Sequence, residues 1–281
     1  MTYQETPVRY EVDGRIARLT LDRPEKMNAI TDMMPQAIRQ AVERANADDS
    51  VHVIILSGNG KAFCSGYDLE RYAESPRPVP GSQDMPWDPM IDFRLMYKNT
   101  QDFMSLWRSY KPVICKVHGY AVAGGSDIAL SCDLVVMAED AMIGYPPARI
   151  WGCPTTAMWI YRVGAERAKR MLLTGDLIDG KEAERIGLIT QAVPVEKLDE
   201  TVDALAKRMA NIPKNQLMMH KLMINQAFSN MGMESTQMFA TLFDGMARHT
   251  PEGVAFKARA EEVGFKRAVF ERDAGEDIAK S

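Results

Sequence analysis

Cysteine is scarce in this 281-residue chain, and the few present have no metal-binding spacing. Cys64, Cys115, Cys132 and Cys153 stand far apart, none in a CxxC pair, and the four histidines form no pair at zinc spacing. A metal site is therefore not expected, and the thiols read as free groups in a reducing cytoplasm. Long apolar runs are also missing, which excludes a helical membrane span. There is no surplus of basic residues: 34 Lys and Arg face 38 Asp and Glu, net −4, so nothing marks a nucleic-acid partner. The first residues, MTYQETPVRYEVDG, are polar and acidic and do not resemble a signal peptide. What remains is an ordinary soluble composition, 46% hydrophobic and 26% charged, long enough for one large domain or two modest ones. Methionine is abundant at 20 residues, many of them late in the chain, and suits adaptable core or interface packing.

The most informative stretch is Val117–Cys132, VHGYAVAGGSDIALSC. The apolar run Pro112–Val117 arrives as a strand; Gly119 and Gly124-Gly125 follow; Ser126 then opens a run that reads as a helix. Ser and Asp favour helix starts because their oxygens accept orphan N–H groups. Glycines just before that start let another backbone or a ligand approach, and the free N–H groups form a preset place for an oxyanion. Asp127 brings a carboxylate to the same place. A plain helix cap with a tight turn explains these residues equally well.

Along the chain, DG at 13–14 between Val8–Val12 and Ile16–Asp22 signals a hairpin. Thr31 is expected to cap a helix running to about Asn46, and the branched run Val51–Leu56 suits a buried strand. GNGKAFCSGYD, 58–68, is a second glycine-bearing loop after a strand, with a short helix expected at Leu69–Tyr72. The Pro- and Gly-rich segment Ser75–Pro89, carrying Asp84, Trp87 and Asp88, reads as an irregular loop, either a substrate wall or a solvated excursion. One helix is expected over Ile91–Tyr110, short strands at Leu134–Ala138 and Ala141–Ile143, and helices at Thr155–Val163 and Ala165–Leu173 about Gly164. Leu177–Asp179 and Leu188–Val193 read as extended pieces around a short helix, Lys181–Ile186. From Val195 the pattern is helical, a helical appendage on an α/β core: residues 1–194 form the core and residues 195–281 the helical region.

Four segments, in order and at sensible spacing, resemble the crotonase (enoyl-CoA hydratase/isomerase) superfamily. They are IARLTLDRPEKMNAI (Ile16–Ile30), VHVIILSGNGKAFCSGYDL (Val51–Leu69), KPVICKVHGYAVAGGSDIALSCDLVVM (Lys111–Met137) and LLTGDLIDGKEAERIGLITQAVP (Leu172–Pro194). The resemblance implies a crotonase-like α/β spiral of ββα repeats with a C-terminal helical region for trimerisation, as a homotrimer or a dimer of trimers. It implies an acyl-CoA substrate, coenzyme A entering as part of the substrate with no separate cofactor. By motif position, the N–H groups of Tyr67 and Gly124 match the oxyanion pair for the thioester oxygen, and Asp127 takes the acid/base position. The CoA end is expected against Lys26, Met27, Ala29, Ala62, Ser65, Gly66, Asp68 and Leu69.

One departure from the family pattern bears on the chemistry. Hydratases of this kind carry a glutamate at the Asp127 position and a second in the loop Tyr145–Arg149. Here the first is the shorter Asp127, and the second position is Pro147 or Ala148. Hydration needs one group to activate water and one to deliver a proton to Cα. An aspartate reaches about 1.5 Å less far, and a misplacement near 1 Å can cost roughly 10² in rate. Asp84, Asp88 or Asp92 can replace the missing acid only if their segment folds inward; each otherwise reads as a solvated charge. Tyr145, Pro147, Arg149 and Trp87 are candidates for the acyl pocket, and Trp159 for packing. Three functions stay open: an enoyl-CoA hydratase or isomerase, a CoA-ester binding protein with little catalysis, and hydrolysis, dehalogenation or C–C cleavage on the same scaffold.

Overall fold

The computed structural model describes residues 6–74, 83, 86–149 and 151–276. The DG signal makes its hairpin: β1 (Val8–Asp13) and β2 (Ile16–Leu21) pair antiparallel, from Val8 opposite Leu21 to Asp13 opposite Ile16. Beyond it, β2, β3 (Val53–Gly58), β4 (Val113–Val117), β6 (Leu134–Ala138) and β9 (Gln191–Val193) run parallel, in the spatial order β1-β2-β3-β4-β6-β9. Covered on both faces, such strands need unbroken apolar runs. Ile54, Leu56, Ile114, Val135 and Val136 are fully shielded, and truncating one such Leu or Ile to Ala costs about 2–5 kcal/mol.

A second sheet holds β5 (Tyr120–Val122), β7 (Met142–Gly144) and β8 (Leu177–Asp179). Isolated parallel bridges, Ile30 with Tyr67 and Cys64 with Ala121, continue it across the earlier turns of the chain. Each of β2, β3, β4 and β6 is thus followed by a short extended piece in the second layer and then by a helix. The helices that close these turns are α1 (Met34–Ala47), α2 and α3 (Pro89–Phe103, Ser105–Arg108), α4 (Gly124–Leu130) and α5 (Met158–Thr174); the short α6 (Gly180–Arg185) joins β8 to β9. This is the expected ββα spiral.

Several boundaries differ from the sequence reading. α1 begins at Met34 without a Thr31 side-chain cap, Pro35 setting its first turn. The expected 91–110 helix is two pieces broken at Met104, and α2 starts earlier, at Pro89, capped by Asp88, whose Oδ1 accepts from Met90 N at 2.8 Å. The 69–72 helix is a single wide π turn at Glu70–Glu74. α5 starts at Met158 rather than Thr155, because Ala157 takes a left-handed turn at φ +55°, and Gly164 breaks it where the two expected helices meet. Most of the 75–89 loop, Asp84 included, lies outside the described residues.

The later helices are α7 (Leu198–Ala210), α8 (Lys214–Asn230), α9 (Met233–Ala247), α10 (Pro251–Val263) and α11 (Phe265–Asp273). α7 lies on the parallel sheet and α9 along α2. Lys221 ties α8 to the core, buried and donating to Asp133 at 2.7 Å and to the Leu106 and Lys111 carbonyls. α9 is inverted relative to an ordinary surface helix. It buries Gln237, Thr241 and Asp244, while Met238, Phe239, Phe243 and Met246 stand about half exposed.

Candidate active site

The two turns that follow β3 and β5 come face to face. Gly66, at φ +89°, precedes Tyr67; Ala123, at φ +53° and ψ −127°, precedes Gly124. A Cβ on Gly66 would stand 2.8 Å from the Ala123 Cβ and 3.6 Å from the Gly124 nitrogen, so only glycine lets the loops approach this closely. The Ala123 conformation costs about 1–3 kcal/mol for a residue with a side chain. It is pinned on both sides: Ala123 N donates to Gly144 O, and Ala123 O accepts from Ser126 N, Asp127 N and the Ser126 hydroxyl. The expected capping by Ser126 and Asp127 is therefore not made. The Ser126 hydroxyl donates backwards, and the Asp127 carboxylate is engaged elsewhere. The consequence is chemical. The N–H groups of Tyr67 and Gly124 have no partner among the described residues, and they lie on adjacent turns of backbone. The Tyr67 ring packs against Gly124, where an added Cβ would sit 3.1 Å from Cε2.

The residues expected at the CoA end form one strip along the same turns. Asn28, fully buried in a left-handed turn with Met27, donates from Nδ2 to the carbonyls of Asn59 and Ala62, both at 2.8 Å. Ser65 N donates to Met27 O at 3.0 Å, and Asp68 pairs with Arg23 at 3.2 Å. Lys26 is exposed and paired with Glu70, while Met27 and Leu69 expose apolar side chains beside it. Lys26, Met27, Ala29, Ala62, Ser65, Gly66, Asp68 and Leu69 are thus brought together, next to the two free amides.

Asp127 lies almost wholly buried on α4 and accepts from the Thr156 hydroxyl at 2.6 Å. Burial pushes its carboxyl up to about 8, against the Thr156 hydrogen bonds, and the charge of Asp244 adds to the rise. Burial thus favours the protonated form of Asp127. Asp244, from the buried face of α9, accepts from Cys153 N at 3.1 Å and from Arg248 at 2.6 Å. The Tyr145 hydroxyl donates to Cys153 O at 2.9 Å, and burial holds the Tyr145 and Tyr67 phenols well above their ordinary range. Gln237, one helical turn before Thr241, donates to Thr156 O at 2.9 Å and keeps a buried Oε1 with no partner among the described residues.

The other expected residues are distributed around this centre. Tyr145 faces it, and Pro147 lies beside Gly152 at its edge: a Cβ on Gly152 would stand 3.2 Å from Pro147 Cβ and 3.3 Å from Asp244 Oδ1. Trp87 stacks on His249 at 4.2 Å and donates to Asp92 at 2.7 Å, so Asp92 is a buried acceptor rather than a solvated charge. Asp88 caps α2. Arg149 is turned outward to Asp273 on α11, at 3.2 Å. Trp159 is fully buried in the core, as expected. Two open clefts of about 600 and 520 Å³ lie elsewhere, lined by residues of α1 to α3 and of α7, and contain none of these groups. Asp244, Thr156 and Gln237 were not legible as site residues. The available signal was the polar series Gln237, Thr241, Asp244, Arg248 at helical spacing in a helix otherwise rich in Met and Phe.

Comparison with known proteins shows the family. The sequence profile of the enoyl-CoA hydratase/isomerase family matches residues 11–261. The chain belongs to that family. The crystal structure of an enoyl-CoA hydratase from Mycobacterium smegmatis superposes with a TM-score of 0.88 at 47% identity, covering 96% of this chain and 94% of that one. An enoyl-CoA hydratase/isomerase from Xanthobacter autotrophicus Py2 gives 0.86 at 29% identity, covering 96% and 98%. Among curated sequences, a Thermus thermophilus protein named "Putative enoyl-CoA hydratase" is 33% identical over 243 residues, 84% of this chain and 90% of its own. The crotonase fold and an enzyme of the hydratase/isomerase family are therefore established for this chain.

Proposed function

We propose that the protein hydrates an enoyl-CoA, binding the thioester oxygen between the N–H groups of Tyr67 and Gly124 and using Asp127 to deliver a proton to Cα. The observation that carries this reading is the pair of amides, unpartnered among the described residues, beside a buried aspartate. Preset donors stabilise the enolate oxygen without reorganising, and losing one typically costs about 10²–10³ in turnover. Coenzyme A lies along the 26–29 and 62–69 strip as part of the substrate, and the chemistry asks for no separate cofactor or metal. Residues 1–194 carry the CoA and oxyanion sites; residues 195–281 cover the acyl site through α9. The exposed Met and Phe face of α9 supports a homo-oligomer, a trimer or a dimer of trimers. No helix among the described residues is long and apolar enough to cross a membrane, and four free thiols support a cytoplasmic setting.

The test follows loss of the conjugated thioester absorbance when purified protein meets short- and medium-chain enoyl-CoA esters. Turnover that falls at least 10²-fold in Asp127→Ala, with CoA-ester affinity retained, supports the reading. Binding of CoA esters with no turnover at any chain length rejects it in favour of a binding protein.

A further inference from the structure

The structure assigns to Asp244 the second task of hydration: it is the carboxylate that takes a proton from the attacking water, filling the role that Pro147 leaves open in the preceding loop. This rests on the hydratase reading above. The placement carries it. The position of a Cβ on Gly152 is within 3.3 Å of both the Pro147 Cβ and Asp244 Oδ1, so the Asp244 carboxylate comes up against the very segment that lacks an acid. Its reach from a distant helix follows from the inversion of α9. Gln237, Thr241 and Asp244, spaced four and three residues apart, share one face of the helix, and that face is turned into the protein. Gln237 grips the backbone of Thr156, the residue that holds Asp127, and so fixes the register of α9 against the site.

The local bonding suits a base. Among the described residues, each Asp244 oxygen receives one hydrogen bond, from Cys153 N and from Arg248. A carboxylate oxygen has two acceptor sites, so each oxygen retains room for a water proton. The ion pair with Arg248 fixes the direction of the carboxylate. The charge of Asp244 is felt by Asp127, Tyr67, Tyr145 and Cys153 alike, as expected of a group at the centre of that ring of side chains. The two aspartates differ in their partners: Asp127 meets a neutral hydroxyl, Thr156, and Asp244 a guanidinium, Arg248.

The step balances. A water lone pair forms the C–O bond at Cβ while Asp244 removes a water proton. The C=C pair moves through Cα to the thioester oxygen, held by the two amides. The enolate then re-forms the carbonyl as Cα takes the proton of Asp127. Water has been added across the double bond. The Asp127 carboxylate is re-protonated and Asp244 deprotonated by exchange with solvent.

The experiment compares two reactions in the wild-type protein and in Asp244→Asn. Hydration needs both carboxylates; exchange of the α-protons of a saturated acyl-CoA into D2O, followed above pH 8 where Asp127 is ionised and can take the α-proton, needs only Asp127 and the amides. The expected result is hydration kcat lowered by about 10² or more with KM within about threefold, and exchange within about threefold of wild type. Hydration retained within threefold overturns the assignment, as does an equal loss of both reactions, which marks a structural role. Where Asp244→Asn melts early, Asp244→Glu is the second variant, since it keeps the charge opposite Arg248. A base displaced by about 1 Å loses roughly 10² in hydration alone, whereas an ion-pair role leaves both reactions near wild type and overturns the assignment. Wild-type protein that hydrates no enoyl-CoA overturns the hydratase reading itself, and this assignment with it.

Discussion

The start of α4 and the buried face of α9 reach one site by opposite means. At α4 the candidate groups are main-chain amides, exposed by turns at Gly66 and Ala123 whose conformations leave two N–H groups without partners among the described residues. At α9 they are side chains, Gln237, Asp244 and Arg248, carried inward by a helix that turns its methionines and phenylalanines out. The first arrangement is local and depends on glycine and close backbone approach. The second depends on packing across more than a hundred residues of sequence. On the proposed reading, the backbone half fixes where an oxyanion sits and the side-chain half decides what is done to the acyl chain beyond it.

The largest expected effect breaks the backbone half. Gly66→Ala places a Cβ against Ala123 in a left-handed conformation, displacing the paired amides. Initial-rate assays should show hydration reduced by about 10²–10³; a folded variant with unchanged kcat would show that the amides are not the oxyanion donors. Next is the pH profile, which probes the side-chain half. Hydration needs the protonated form of Asp127, whose carboxyl is held up to about 8, so kcat/KM should fall about tenfold per unit above that pH. A profile flat to higher pH would assign the proton to another group.

A smaller effect is on stability. Asp127 keeps its proton in the folded protein up to about pH 8, but in the unfolded chain only to its ordinary value of 3.8. Between these limits the folded state holds the extra proton, so this group makes stability decline as pH rises through the window. Asp127→Asn should flatten that decline and raise Tm by a few degrees near pH 8, measured by calorimetry across pH. Smallest is Arg149→Ala. The guanidinium pairs with Asp273 rather than with either half of the site, so kcat/KM should change by less than about threefold. A larger loss, specific to acyl chains with a carboxylate, would return Arg149 to the pocket.

The same contrast explains what the sequence revealed. The hairpin, the parallel strands and the Gly66 and Gly124 turns were legible because each rests on a few neighbouring residues: a DG pair, an apolar run, a glycine before a helix. Helix ends were read less well. Thr31 and Ser126 offered capping side chains, but Pro35 and the strained Ala123 turn set those starts instead. Asp92 and Asp244 were hidden for a stronger reason. An aspartate in a helix is ordinarily solvated, and only the packing of α9 on α2 buries these two. The missing acid at Pro147 was visible in the chain; the candidate that compensates lies almost a hundred residues later.

The most direct test of the central claim is a crystal structure with a bound, unreactive acyl-CoA. The thioester oxygen is expected within about 2.7–3.1 Å of both the Tyr67 and Gly124 nitrogens, with Asp127 over Cα. A thioester oxygen bound away from those two nitrogens would contradict it.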